Sequence, residues 1–583
     1  MFNVENLALL RKELVANGLD GYIIWTTDPH DSEYAADYFL SERLFFCPFS
    51  GSAGHVLITR DEAFLWTDGR YWIQAEKQLE GSTISLMKFG DPRTPSLLDF
   101  IKEKKLSKVA TNFMMISKNT LDRFANKGIN LVDKDFSYLV KDRPALSKEK
   151  IFKLDEALFS QTSKEKMAEI LEKTKKAGAE AVIITTLDDI AWTLNYRGKD
   201  IPCNPVFYAY LYISEEGNFL FMNLNKVDGI IEGVTVMPYE RVFEFLKARQ
   251  NVPTLVDFAR ANAKICAQLS KTVNGKSPSY MMKAIKKEVE IENTKKIQAI
   301  DGLALVKFWK YLEENLERNL SEYDYSEKLK QFRLSNPLCF DLSFDTIAAI
   351  GANAAQMHYE PTKEIHSLVT KNDMELLVDS GGQYFGGTTD TTRMFNIGKL
   401  SEEYMHDYTL TLKSVICLTK TIFLEGVSGR TIDMRARQFM WDEGMDYKCG
   451  TGHGVGYILN VHEGPNGFRP KGRPGVDDGD AIVPGMITTV EPGVYKAGKY
   501  GIRIENNLVC VDAFETSDGK FYKFETITYA PIDTRGLVLD MLDEAEIEWL
   551  NSYHQVVYDR LSKLTDDKEL LVFLKEKTKP IKK

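Results

Sequence analysis

Leu7, Leu10 and Leu14 recur at helical spacing after Asn3, which predicts an amphipathic helix with Asn3 as N-cap and Gly18 as its stop. Behind it, Gly21-Tyr22-Ile23-Ile24-Trp25 is a short apolar run without alternation and reads as a buried strand. The same passage occurs a second time. Thr162 and Glu165 have the spacing of a capping box, and Met167, Ile170, Leu171 and Thr174 form the buried stripe. Gly178 ends that helix, and Ala181-Val182-Ile183-Ile184-Thr185 follows. Gly18 and Gly178, Ile23 and Ile183, Thr26 and Thr186, and Asp28 and Asp188 all stand 160 positions apart. Ala63-Phe64-Leu65-Trp66 and Asn218-Phe219-Leu220-Phe221 add a second pair of strands. The pattern predicts two α/β domains of similar fold. The period is too long for a solenoid.

A third region behaves differently. Residues 281–317 read as a charged helical stretch, and 401–423 and 431–443 as further helices, with Gly444 as a stop. Residues 375–379, 487–491 and 501–510 read as strands, and 540–583 as a charged helical tail. Helices mixed with antiparallel strands imply an α+β domain. The boundaries expected are 1–155, 156–280 and 281–583.

Composition narrows the class. A chain of 583 residues with 44% hydrophobic and 27% charged positions is ordinary globular material for about three or four domains. Seven scattered cysteines without a CxxC pair argue against a disulfide framework or a cysteine zinc knuckle. The net charge of −10 and the lack of a basic domain make nucleic acid a poor partner. There is no apolar run long enough to span a bilayer and no signal-peptide layout at the N-terminus, so no membrane partner and a cytoplasmic location are expected.

Acidic residues number 84, so a lone carboxylate says nothing and its setting decides. Leu376-Leu377-Val378-Asp379 is an apolar strand ending in a carboxylate, 381–387 is turn-rich, and Thr388-Thr389-Asp390-Thr391-Thr392-Arg393 is β-prone. A hairpin there brings Asp379 near Asp390. Two close carboxylates repel unless a cation neutralises them; the alternative is a solvated hairpin with Asp at its strand ends. Glu491 closes a second apolar strand before Pro492-Gly493. Farther on, Ile502 and Ile504 share one strand face, and Arg503 and Glu505 the other. Either Glu505 faces inward to a partner or metal, or it pairs with Arg503 in solvent.

Between these segments lies Cys449-Gly450-Thr451-Gly452-His453-Gly454-Val455-Gly456. No Lys-Ser/Thr follows, so phosphate binding is not expected; the glycines instead allow close backbone packing around a histidine. His358 and His462 sit in turns bounded by glycine or proline. Four carboxylates with one imidazole suit two borderline divalent ions, Mn²⁺ first among them, whose charge they balance.

These motifs resemble the pita-bread metallopeptidases, the group of methionine aminopeptidase, prolidase and aminopeptidase P. In that family the ligands run Asp, Asp, His, Glu, Glu, an order met here by Asp379, Asp390, His453, Glu491 and Glu505. Trp66-Thr67-Asp68-Gly69-Arg70-Tyr71, Ile190-Ala191-Trp192 with Asn195-Tyr196-Arg197-Gly198, and Glu548-Trp549-Leu550-Asn551 with Tyr553-His554 are similar to the three-domain cytosolic aminopeptidase P type. The resemblance covers nearly the whole chain. It implies two creatinase-like N-terminal α/β domains, then a pita-bread α+β catalytic domain with a C-terminal helical extension.

The resemblance also implies roles. Asp379 would serve one metal, His453 and Glu491 the other, and Asp390 and Glu505 would bridge. A metal-bridging hydroxide would attack the Xaa-Pro bond of peptides with proline second, releasing the first residue, with Glu491 as proton shuttle. His358 and His462 would hold substrate and stabilise the tetrahedral intermediate. His453 would border the substrate as well as bind metal, and Arg503 and Tyr495 would line the site. Arg70 would reach a peptide or a neighbouring active site. A homodimer is implied too.

One position departs from the family. Four residues before the metal histidine a substrate-contacting histidine is often found, and here that position is Cys449. A thiol cannot carry the imidazole's positive charge, so the metal chemistry is expected to survive while proline-side recognition differs. Two rivals stand beside this reading. Prolidase shares the ligands but takes only dipeptides and typically lacks the second N-terminal copy. A ligand-free scaffold or histone chaperone would purify without metal.

Overall fold

A computed structural model describes residues 2–470 and 479–583. The chain divides into two compact units, one running to Leu154 and resuming over Gln161–Met281, the other formed by Asp155–Ser160 with Met282–Lys583.

In the first unit the opening helix is Val4–Ala16, with the Asn3 side chain accepting from Glu5 N–H and Leu7, Leu10 and Leu14 fully buried. Gly18 follows at φ +62°, a left-handed turn that favours glycine. Strand Gly21–Trp25 is buried on both faces, Ile24 packing into one apolar cluster and Ile23 into the other. Its sheet runs Ser85–Lys88, Ala63–Thr67, His55–Thr59, Gly21–Trp25, Val109–Thr111, Val132–Asp133. The second sheet runs Thr235–Pro238, Gly217–Met222, Ala209–Ser214, Ala181–Ile184, Thr254–Val256, Thr272–Asn274. Both have a parallel pair, two antiparallel pairs and two more parallel pairs in the same order. The repeat at 160 positions is therefore a repeat of topology. One residue of the predicted stripe differs. On helix Ser163–Lys176, Leu171 is only half-buried and Lys166 is buried instead. Its ammonium reaches Trp192 O at 3.0 Å and Asn195 Oδ1 at 2.6 Å while its stem packs inward.

The second unit is built on helix Glu288–Asn315. Lys287 before it is extended (φ −82°, ψ 163°), so the charged stretch is not one helix from 281 onward. Two short sheets follow, Cys339–Leu342 with Gly382–Tyr384 and Gly387–Thr388, and Ile347–Ala349 with Glu375–Ser380 and Thr391–Asn396. A larger sheet runs Ile422–Leu424, Gly519–Thr526, Asn506–Thr516, Ile487–Val490, Gly452–Gly454, Glu463–Phe468. Helix Glu402–Thr419 packs Tyr404, Tyr408, Leu412 and Val415 into one core with Val490, Ile502 and Leu508. That helix stops short of the predicted 423, because Ile422–Leu424 pairs as an edge strand with Gly519–Thr526. The strand predicted over 501–510 is two strands, Tyr500–Arg503 and Asn506–Thr516, in different sheets. Among the described residues, no helix is long and apolar enough to cross a membrane.

Candidate metal centre

Two sheets deliver the acidic residues. In the first, Asp379 stands opposite Thr392 and Ser380 opposite Thr391, so Asp390 lies just beyond the end of the ladder that holds Asp379. In the second, Val490 stands opposite Asn506, and their neighbours Glu491 and Glu505 leave the ladder at the same end. His453 sits on the next strand, where Gly454 pairs with Thr488 and Glu491 N–H donates to Thr451 O at 2.7 Å. The sheets join at the break between the two strands. Glu505 N–H donates to Thr392 O at 3.2 Å, and the Arg393 guanidinium donates to Glu505 O at 2.5 Å.

The glycines around His453 follow from this crowding. A Cβ on Gly452 would stand 1.9 Å from Thr489 O, and one on Gly454 2.1 Å from Glu463 O. Only a residue without a side chain lets the strand approach its neighbours closely enough to aim the imidazole at the carboxylates.

One ligand atom each from Asp390, His453 and Glu505 lies within 4.8 Å of the others. His453 Nε2 is 3.4 Å from Asp390 Oδ2 and 3.4 Å from Glu491 Oε1. Asp379 is held beside them by Arg503, whose Nη2 and Nε reach Asp379 Oδ2 at 2.6 and 3.1 Å. Its other oxygen, Oδ1, is buried and has no hydrogen-bond partner. Arg503 thus pairs with Asp379, not with Glu505 in solvent, and all of Ile502, Arg503, Ile504 and Glu505 are buried.

Burial sets the electrostatics. It pushes the Asp379 carboxyl above the ordinary range against the pull of Arg503, with Asp390 adding to the rise. Burial also raises Glu491, opposed by His453 and Arg503 and helped by Asp390 and Asp379. Glu505 rises well above the usual value through burial and the charges of Asp390, Asp379 and Glu491. For His453, burial disfavours the cation, but the Asp390 hydrogen bond and the field of Glu491 and Asp390 overcome it and raise the imidazole to about 9. Acids and an imidazole that distort one another in this way are a cation site by charge. An orphaned buried carboxylate oxygen, three more acids and one nitrogen donor fit oxygen-seeking divalent ions.

The remaining predicted residues fall as follows. The His462 ring centroid is 4.2 Å from that of His453, at 67°. His358 follows Met357, whose carbonyl accepts from Arg503 Nη2 at 3.3 Å. Tyr495 Oη accepts from Arg503 Nη1 at 2.8 Å. Cys449 packs with Tyr495 against Leu410, Met440, Tyr447 and Val494. Arg70 belongs to the first unit, where Asp68 holds its Nε and Nη2 at 2.9 Å each and Glu33 lies 4.0 Å away.

Sequence reasoning missed the hydroxyls that hold the acids. Thr392 Oγ1 donates to Glu505 Oε2 at 2.9 Å and accepts from Arg503 Nε at 3.1 Å. Thr489 Oγ1 accepts from His453 N–H at 3.0 Å and lies 3.4 Å from Glu491 Oε1. A signal existed: each threonine is two positions from an acid, Thr392 from Asp390 and Thr489 from Glu491, and so shares its strand face.

Comparison with known proteins matches residues 292–512 to metallopeptidase family M24 and 520–581 to the C-terminal region of that peptidase. Residues 7–142 and 142–290 each match a creatinase/prolidase N-terminal domain. The chain is 36% identical to Xaa-Pro aminopeptidase 1 of Dictyostelium discoideum, over 99% of this chain and 96% of the relative. It is 35% identical to a probable Xaa-Pro aminopeptidase P of Laccaria bicolor, over 99% and 93%. Among solved structures, an X-prolyl aminopeptidase from Caenorhabditis elegans, described as a cytosolic enzyme with a di-nuclear active site, superposes with a TM-score of 0.93 at 32% identity and 99% coverage of both chains. A Xaa-Pro dipeptidase from Bacillus anthracis shares the fold over 64% of this chain and 99% of its own, with a TM-score of 0.50 at 21% identity.

Proposed function

This chain belongs to metallopeptidase family M24, and we propose that it is a Xaa-Pro aminopeptidase that removes the first residue from peptides whose second residue is proline. The observation that carries the reading is the joint one: similarity to Xaa-Pro aminopeptidases along 99% of the chain, with Asp390, His453 and Glu505 gathered within reach of one cation. Both creatinase-type domains are present, which favours the aminopeptidase over the dipeptidase. The division into 1–155, 156–280 and 281–583 belongs to this reading.

Asp379, Asp390, His453, Glu491 and Glu505 would hold two divalent ions, with Mn²⁺ the ion we expect. Asp390, His453 and Glu505, each within reach of the others, would form the centre of the ligand set, with Asp379 and Glu491 beside them. When bound, such ions supply Lewis acidity to the attacking water and to the scissile carbonyl. Glu491 takes the proton from that water and hands it to the proline nitrogen, which has no N–H of its own in the peptide bond. Its side chain is 20% exposed, against 5% for Asp390 and 11% for Asp379, so it can exchange protons with substrate while the others stay fixed. Thr489 steadies it. Arg503 orients Asp379 and opposes its protonation. His462, against His453, and His358 stabilise the tetrahedral oxyanion. Tyr495 and Cys449 border the substrate, and Arg70 contacts peptide. The enzyme acts in the cytosol as a homodimer.

The test is hydrolysis of Arg-Pro-Pro and of the dipeptide Arg-Pro by chelated protein, with Mn²⁺, Zn²⁺ or Co²⁺ restored. Release of arginine from the tripeptide only after metal return is expected, fastest with Mn²⁺. Cleavage of the dipeptide alone would move the protein to prolidase, and no cleavage with any ion would reject the enzyme reading. Sedimentation checks the dimer.

A further inference from the structure

His358 is carried by a stretch, 350–367, with little regular structure of its own. Among the described residues its one helix or strand is the short helix Gly351–Ala354, and residues 362–366 are exposed. Such a stretch has no ladder to fix it, so its position has to come from side chains that bind its backbone and its polar groups.

One carboxylate does this. Glu322 opens helix Glu322–Leu334 and is fully buried. Its Oε1 accepts from Ile350 N–H at 2.8 Å and from Asn353 Nδ2 at 3.1 Å. Its Oε2 accepts from Tyr359 Oη at 2.8 Å, from Ser367 N–H at 2.7 Å and from the same Asn353 amide at 3.1 Å. These donors are neutral groups, and all of them belong to 350–367. Both ends and the middle of the stretch are thus tied to one side chain. A carboxylate suits the task because it offers lone pairs alone, whereas an amide would turn its own NH₂ toward donors. His358 therefore stands between two anchors. Behind it, Tyr359 is held by Glu322. Ahead of it, Met357 O accepts from Arg503 Nη2 at 3.3 Å, and the same nitrogen holds Asp379 Oδ2 at 2.6 Å. The strand Tyr500–Arg503 packs directly against the stretch: a Cβ on Gly501 would stand 1.8 Å from Ala354 O.

We propose that Glu322 is a positioning residue for the reaction: through Tyr359 and the two ends of 350–367 it sets where His358 stands relative to the metal centre. The inference rests on the proposed function, in which His358 stabilises the tetrahedral oxyanion. The task of Glu322 is to fix geometry rather than to move protons. Placement matters because a catalytic group displaced by about 1 Å can cost about a hundredfold in rate. The residues proposed as metal ligands, Asp379, Asp390, His453, Glu491 and Glu505, all lie outside 350–367, so loosening the stretch leaves the metal in place.

The test is steady-state hydrolysis of Arg-Pro-Pro by metal-loaded wild type, Glu322→Gln, Tyr359→Phe and His358→Ala, and by Glu322→Gln and Tyr359→Phe each combined with His358→Ala. We expect His358→Ala to lower kcat about a hundredfold. Glu322→Gln should lower kcat about tenfold and Tyr359→Phe about threefold, with KM and bound metal within about twofold of wild type. In the His358→Ala background both further losses should shrink to less than about twofold. A loss of folded protein would instead cut kcat by the same factor in either background. Tyr359→Phe removes a single hydroxyl and carries the test if Glu322→Gln does not fold. Equal losses in both backgrounds overturn the proposal, as does a wild-type kcat in every folded variant of Glu322 and Tyr359, or in His358→Ala. No hydrolysis by the wild type rejects the proposed function and this inference with it. Hydrolysis by the wild type with independent losses rejects this inference alone.

Discussion

Asp28 and Asp379 are both buried carboxylates, at 1% and 8% exposure, and they do opposite work. Asp28 lies at the repeat position of the first unit. Its Oδ1 accepts from His30 and Ser32 N–H at 2.8 and 3.2 Å, and its Oδ2 from Tyr208 Oη at 3.0 Å. Through Tyr208 it joins the first N-terminal sheet region to the second, and His30 helps, with ring nitrogens 2.7 Å from Thr185 O and from Tyr239 Oη. Every oxygen is used. Asp379 has one oxygen on Arg503 and one on nothing, and burial, with Asp390 adding to it, raises its affinity for protons. Burial alone therefore does not mark a functional carboxylate. What marks it is lone pairs left over, next to like charge, where only a cation completes the shell.

The sharpest way to break the contrast is to remove one charge from each place. Asp390→Asn should lower kcat/KM on an Xaa-Pro tripeptide by about a thousandfold or more, because it strips a ligand from the cation site. Asp28→Asn should leave kcat/KM within about threefold and cost about 1–2 kcal/mol of stability, since an amide NH₂ cannot accept from Tyr208. Equal catalytic losses would erase the distinction.

A second test uses a buried titratable group that is neutral in the fold. His554 is fully buried, and its Nε2 accepts from Ile532 N–H at 3.1 Å. Burial, with Arg393 adding to it, lowers its pKa from the usual 6.5 to about 4. The unfolded chain then binds the proton more readily than the folded one. This stability is complete above about pH 6.5 and is lost as pH falls toward about 4, by up to ~3 kcal/mol. Urea midpoints at pH 7 and 4.5 should converge in His554→Gln relative to wild type. An unchanged acid slope would count against a neutral structural role.

The smallest effect concerns the metal-free protein. Removing one of the repelling acids should relieve strain, so chelated Asp390→Asn should be more stable than chelated wild type by about 1 kcal/mol. Adding Mn²⁺ should reverse the order, since only wild type keeps the full ligand set. Asp28→Asn should remain less stable than wild type in both states. Thermal melts with and without metal read this directly.

Much of the molecule was legible in the chain. The 160-position offset predicted two like domains because each repeats a capped amphipathic helix and an apolar strand, and both signals are local. The acids were legible through their settings: Asp379 ends an apolar strand, Asp390 lies in a β-prone run after a turn, Glu491 ends a strand before a turn, and Glu505 alternates with Ile502 and Ile504. Less legible was anything set by register between distant strands. The helix ending at Thr419 was overextended because nothing local announces that Ile422–Leu424 will pair with Gly519–Thr526. Lys166 lies outside the predicted stripe because its partners, Trp192 O and Asn195 Oδ1, are beyond the reach of helical periodicity.

By itself, then, the sequence determined the repeat, the order of the five residues proposed as ligands and the glycines that let His453 approach its neighbours. Local dihedral preference and hydrophobic period carry those features. Only the tertiary structure decided that Arg503 serves Asp379, 124 residues away, and not its strand neighbour Glu505. It alone broke the strand at Glu505 so that two sheets meet there, and it alone left Asp379 Oδ1 without a partner. Side chains that far apart in the chain meet only through packing, and packing chooses which charge satisfies which.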